Sequence, residues 1–189
     1  GANLAIWPVS WFLRGAGAFF IKRSFANEPT FPALFGRYLR ELIRNSHMVS
    51  FFIEGGRSRS GKLLEPKLGV LSHLLAASDY RPLGQEVTIL PISLAYEQIA
   101  EERDYAREAT GKRKRKESLS ELMRAPSVLW RKLGRVYMRV GKPITISAVV
   151  PGKYADLSVQ EQRALTLSVG QQIVHNIGEQ MVILPTALV

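Results

Sequence analysis

Twelve residues, Phe51-Phe-Ile-Glu-Gly-Gly-Arg-Ser-Arg-Ser-Gly-Lys62, set an apolar run, one carboxylate, three glycines and three cations in immediate succession. A strand that ends in Glu54-Gly55-Gly56 lets its backbone approach a ligand closely, because glycine removes the side-chain obstruction and tolerates positive φ. Arg57, Arg59 and Lys62 surround that opening with positive charge, which favours an anionic partner such as a phosphate.

The rest of the chain alternates strand and helix patterns around this segment. Ala18 to Ile21 is a short apolar run that delivers Lys22 and Arg23 at its carboxyl end, and it reads as a buried strand. Leu34, Phe35, Tyr38, Leu39, Leu42 and Ile43 recur at helical spacing, with Arg37, Arg40, Glu41 and Arg44 on the other face. Met48 to Ile53 reads as the strand that carries the glycine turn. Leu68, Leu71, Leu74 and Leu75 mark a helix after Pro66. Val87 to Leu94 is a third apolar strand interrupted by Pro91, which predicts an edge, a bulge or a strand end near a ligand. Val136, Met138 and Val140 alternate as a fourth strand closed by Gly141 and Pro143. Val169, Ile173, Ile177 and Met181 form one stripe of a last helix over about Val159 to Met181. Strands alternating with helices predict an α/β fold, a mixed sheet flanked by helices. No internal repeat is visible.

At 189 residues the chain fits one domain with a real core. Its hydrophobic fraction of 46% and charged fraction of 22% exclude a disordered or collagen-like chain. The net charge of +10 points to an anionic partner, whether nucleic acid, an acidic membrane surface or a phosphorylated small molecule. Without cysteine, a disulfide framework, a thiolate zinc site and a cysteine nucleophile are all impossible. Both ends look cut: the sequence opens on Gly1 without an initiator methionine, and it stops inside the apolar run Met181 to Val189.

From Leu4 to Ile21 only Arg14 is charged, a length near that of a membrane span. Pro8, Gly15 and Gly17 argue against a continuous helix there. A buried strand and turn is the plain expectation, with shallow bilayer contact through Trp7, Trp11 and Phe12 as the alternative. The polar stretch Glu97 to Lys132 carries Lys112-Arg-Lys-Arg-Lys116 and reads as a solvated excursion, or as a contact for acidic headgroups or an acidic carrier.

Gly56 to Lys62 has the spacing of a nucleotide-binding loop, G-x-x-x-x-G-K. It fails at the next residues: Leu63 stands where Ser or Thr should reach a magnesium ion, and Glu65-Pro66 disturbs the helix that would hold the phosphates.

A different resemblance holds over nearly the whole chain. Gly17-Ala-Phe-Phe-Ile-Lys-Arg23, Phe52-Ile-Glu-Gly-Gly-Arg-Ser-Arg-Ser-Gly61 and Ile89-Leu-Pro-Ile-Ser-Leu94 resemble, in order, the second, third and fourth motifs of the glycerol-3-phosphate acyltransferases, in particular the bacterial membrane-associated members. The resemblance implies an acyltransferase-type core, incomplete at both ends, spanning 1–189 with a polar excursion at about 97–132. It implies that Arg23 binds the phosphate of glycerol 3-phosphate, assisted by Arg57 and by Lys22 or Arg59. Glu54 and Gly55 would shape the acceptor pocket, and Pro91 would border the site where donor and acceptor meet. The plain alternatives are solvated surface arginines at Arg57 and Arg59, and a buried ion pair at Glu54.

The implied reaction moves an acyl group from acyl-CoA or acyl-carrier protein to the sn-1 hydroxyl of glycerol 3-phosphate, the first step of phospholipid synthesis. It needs no metal and no tightly bound cofactor. The implied setting is the cytoplasmic side of a bacterial inner membrane, with the membrane surface as a partner and no nucleic acid. The family's first motif, a histidine followed five residues on by an aspartate, is not in this sequence. His47, His73 and His175 are followed at that spacing by Phe52, Ser78 and Gln180, and surface or structural roles are expected for them. Since such a histidine serves as general base, worth roughly 10²- to 10⁴-fold, acceptor binding without full catalysis is the expectation for these 189 residues. The rivals are an acyltransferase acting on dihydroxyacetone phosphate, and a silent module that binds anionic lipid or nucleic acid.

Overall fold

The computed structural model describes residues 9–21, 30–56, 62–97 and 134–182. Helix α1 (Val9–Gly15) is followed by α2 (Thr30–Arg44) and α3 (Leu68–Ser78). Short strands β1 (Thr88–Ile89), β2 (Ile92–Tyr96), β3 (Val136–Val140) and β4 (Ile144–Thr145) come next. A single turn of helix, α4 (Ile146–Val149), a 3-10 turn at Tyr154–Asp156 and the long α5 (Val159–Glu179) complete the order.

The position of α3 explains its composition. Its sequence, LGVLSHLLAAS, is apolar nearly all round, as a helix covered on two sides must be. Leu71 and Leu75 are fully buried in one cluster with Ile53, Ile144, Ile146, Val150, Tyr154, Val169 and Ile173. Ala77, Val70 and Leu74 face a second cluster built on Phe35 and Leu39 of α2. The amphipathic reading of α2 therefore holds, and so do the helices expected after Pro66 and from Val159.

Helix α5 begins at a reciprocal cap. Ser158 Oγ accepts from Glu161 N at 3.3 Å and Glu161 Oε2 accepts from Ser158 N at 2.8 Å, so two end donors are satisfied. Contact with the Ser158 hydroxyl, then with its backbone N–H, lowers the pKa of the exposed Glu161. Before the cap, both oxygens of Asp79 at the end of α3 accept from Tyr154 N and Ala155 N at 2.9 Å. The Tyr154 hydroxyl lies 2.8 Å from Thr166 Oγ1 on α5. Asp79 and Tyr154 together fasten α3 to α5.

The α/β class holds, while the strands differ from the expected mixed sheet. Among the described residues both pairings are antiparallel, β1 with β4 and β2 with β3. Thr88 faces Thr145 and Ile89 faces Ile144, whereas Ile92 faces Val140. Leu90-Pro91 thus oppose the three residues Gly141-Lys142-Pro143, an offset of one that amounts to a bulge. Pro91 cannot donate to a ladder, and the bulge sits where the proline predicts it.

Two expected strands are corrected. Ala18–Ile21 and Met48–Ile53 join no ladder among the described residues, and Ile53 already belongs to the turn that follows. The period-2 pattern of the second is nevertheless real: Val49, Phe51 and Ile53 turn inward while Met48, Ser50 and Phe52 are exposed. Alternation reports a half-buried extended segment, and a ladder also requires a neighbouring backbone.

The alternation over Val136, Met138 and Val140 likewise gives a strand. These side chains, opposite Tyr96, Leu94 and Ile92, form an exposed apolar face, while Ser93 on the other side is buried.

Candidate functional site

The glycine turn is built by the core beneath it. Ile53 is 6% exposed and anchors the segment in the α3 cluster, so the next residue emerges at the cluster's edge. Gly55 N donates to Phe52 O at 3.0 Å, closing a tight turn in which Gly55 takes φ +62. A Cβ there would lie 2.8 Å from Lys67 Cγ and 3.2 Å from Lys67 Cβ, so backbone conformation and space both require glycine. Gly56 has open space and no positive φ.

The chain leaves this turn after Gly56 and returns at Lys62 under two clamps. Lys67 N donates to Ile53 O at 2.8 Å. Leu64 N donates to Glu54 Oε2 at 3.1 Å. Arg57 and Arg59 lie outside the described residues. Glu54 is half-buried, with one oxygen engaged by backbone and the other without a partner among the described residues. No helix starts until Leu68, which disposes of the nucleotide loop, since that loop needs a helix N-terminus directly after Lys62.

Pro91 is buried at the bulge, where Gly141 N donates to its carbonyl at 2.8 Å. A Cβ on Gly141 would meet Asn176 O at 3.2 Å and Pro91 Cβ at 3.5 Å. The returning strap from the glycine turn reaches the same region, because Leu63 Cδ1 lies 3.2 Å from where Gly178 would carry a Cβ. Gly170 similarly admits Leu68 and Pro66. The last turns of α5 thus bring the Glu54 strap and Pro91 to one end of the molecule. Sequence reading missed this role for α5; its glycines inside a helical pattern were the available signal.

The other predicted positions divide plainly. Lys22 and Arg23 lie outside the described residues, and Phe19 and Ile21 just before them pack on the α2 cluster. The basic run Lys112–Lys116 and Trp7 also lie outside. The excursion's two ends meet at Glu97, whose carboxylate accepts from Arg135 N at 2.8 Å and from the Tyr137 hydroxyl at 3.2 Å. His47 is exposed, and His175 is exposed and 3.5 Å from Glu179. His73 is part of the packing, edge-on to Phe35 at 5.4 Å, and burial lowers its pKa. Its neutral imidazole therefore prevails at neutral pH.

The glycine turn clamped to Leu64 and Lys67 and the bulge at Pro91 both adjoin the last turns of α5 on an α/β core. Residues 1–95 match a family model described as Acyltransferase, and the chain belongs to the acyltransferase family. Residues 105–189 match a second model, described as the glycerol-3-phosphate acyltransferase C-terminal region. The chain is 42% identical over 148 residues to the glycerol-3-phosphate acyltransferase of Haemophilus ducreyi, covering 78% of this chain and 18% of that protein. It is 36% identical over 186 residues to the protein of the same name from Pasteurella multocida, covering 97% of this chain and 22% of that one. It spans about a fifth of the length of these curated relatives.

Proposed function

We propose that this chain is the acceptor-binding core of an enzyme that acylates glycerol 3-phosphate at its sn-1 hydroxyl, with acyl-CoA or acyl-carrier protein as donor. The observation that carries the reading is the turn at Glu54-Gly55, closed by its own hydrogen bond and clamped to Leu64 and Lys67, with Arg57 and Arg59 next to it in sequence. Two arginines so close in sequence suit a phosphate, because planar guanidinium groups bind its oxygens in pairs. The free oxygen of Glu54 suits a glycerol hydroxyl. The names of the two relatives support the acceptor. Arg23, Lys22 and Pro91 belong to the same site in this reading, and residues 1–189 form one partial acyltransferase domain.

Calorimetry with glycerol 3-phosphate tests it on the 189-residue chain. Glu54→Ala, Arg23→Ala and Arg57→Ala are each expected to weaken binding about tenfold or more, the loss of a charge-assisted hydrogen bond. Unchanged affinity in all three would overturn the reading. Dihydroxyacetone phosphate as competing ligand separates the nearest rival.

The setting on the cytoplasmic face of an inner membrane belongs to the same proposal. No helix among the described residues is long and apolar enough to cross a membrane. Trp11 and Phe12 on α1 are 73% and 67% exposed, and Arg14 lies 5.7 Å from the Phe20 ring, a grouping suited to the headgroup level of a bilayer. Trp11→Ser with Phe12→Ser should reduce co-flotation with phospholipid vesicles; equal flotation would remove α1 from the contact.

A further inference from the structure

A second cationic feature lies apart from the clamped turn. Helices α2 and α3 enclose an open cleft of about 790 Å³, lined by Arg37, Arg40 and Arg44 of α2 and by His73 and Tyr80 beyond it. The arginines follow one another at helical spacings of three and four, so they share a face and repel one another. None has an ion pair among the described residues, and the single carboxylate of the lining, Glu41, lies within 4.0 Å of none of them.

A solvated helix face is the ordinary account of such a row, and Arg40 departs from it. Its guanidinium carbon stacks 3.8 Å from the Tyr80 ring centroid, which holds the plane in place. Its Nε is buried and has no hydrogen-bond acceptor, an arrangement that costs desolvation with nothing in return. Gly36 keeps the cleft floor close to α3, since a Cβ there would lie 3.1 Å from His73 Nδ1.

We propose that this cleft binds a phosphate monoester, with Arg40 as the bidentate ligand and Arg37 and Arg44 as flanking cations. Stacking on Tyr80 fixes the Arg40 plane, and its two terminal amines, which unlike Nε are not buried and have no protein partner among the described residues, offer a phosphate a pair of donors. Three arginines against one carboxylate favour a dianion over the single charge of a diester. The volume admits a phosphate together with part of what it esterifies. The source is either a soluble phosphate compound or a lipid whose headgroup is a phosphate monoester. This site does not depend on the acceptor reading.

The experiment uses the whole 189-residue chain with Arg23→Ala and Arg57→Ala as background, so that any phosphate bound at the acceptor turn is removed from the readout. Inorganic phosphate at about a hundredfold excess over its Kd should raise the melting temperature by roughly 5 °C or more. Adding Arg40→Gln should abolish that shift. Arg37→Gln with Arg44→Gln, both exposed positions, should reduce it if Arg40→Gln proves unable to fold. In the lipid arm, phosphatidylcholine vesicles carrying phosphatidic acid are compared with vesicles carrying phosphatidylglycerol at equal surface charge. A preference for phosphatidic acid that Arg40→Gln removes supports a lipid source. A phosphate shift without that preference supports a soluble one. No phosphate shift together with no preference, or the same shift in the Arg40→Gln and Arg37→Gln/Arg44→Gln proteins, overturns the proposal.

Discussion

Leu71→Ala is expected to lower the stability of the chain by about 2–5 kcal/mol, read as a fall in the urea midpoint at nearly constant slope. Leu71 is 0% exposed and lies in the cluster that joins α3, β4, α4 and α5. Its neighbours come from elements far apart in sequence, so none can collapse into the space without moving its own element. The lost contacts and the cavity therefore both count against the folded state. Leu83→Ala is the internal comparison: its side chain is 103% exposed, and the same truncation should change stability by no more than about 0.5 kcal/mol. Because Ile53 shares the Leu71 cluster and directly precedes Glu54, Leu71→Ala should also weaken glycerol 3-phosphate binding. Leu83→Ala should leave it alone. A small loss at Leu71 would mean that α3 is not the centre on which the two clusters rest.

The elements that sequence made legible are those whose signals are local. The 3.6-residue stripe of α2, the breaks at Pro66 and Pro91 and the glycine turn at Gly55 each depend on nearby residues. What stayed hidden depends on distant ones. Val49, Phe51 and Ile53 alternate as a strand should, yet nothing in the alternation names a partner backbone, and the segment joins no ladder among the described residues. Val136, Met138 and Val140 alternate equally well, and they face outward with Ile92, Leu94 and Tyr96.

Asp79 caps the backbone at Tyr154 across 75 residues, a contact without a sequence signature. Among the residues the motifs singled out, Glu54, Gly55 and Pro91 each carry a structural constraint. The reason for each constraint came from Lys67, Leu64 and Gly141. Arg40 illustrates the remaining difficulty. In sequence it is one more cation on a polar face, and only the Tyr80 ring and the missing acceptor at Nε distinguish it.

Adjacent glycines in the turn allow the sharpest separation of conformation from chemistry. Gly55→Ala is expected to destabilise the chain by roughly 1–3 kcal/mol, through an unfavourable positive φ and the displacement of Lys67. Gly56→Ala, with open space and no positive φ, should fall within about 0.5 kcal/mol of the parent. The Lys67 atoms in the way are Cβ and Cγ, near the root of the side chain, so relief requires the backbone at Lys67 to move. That backbone holds Ile53 O, and its movement would pull Leu64 from Glu54 and open both clamps at once. Glycerol 3-phosphate binding should then fall more in Gly55→Ala than the stability loss alone accounts for, when both are measured well below the melting temperature. If Gly55→Ala unfolds early yet binds normally while folded, the clamps support the fold and do not organise the anion site. If Gly56→Ala loses binding at full stability, the ligand approaches the backbone at Gly56, and the pocket lies one residue further along the turn.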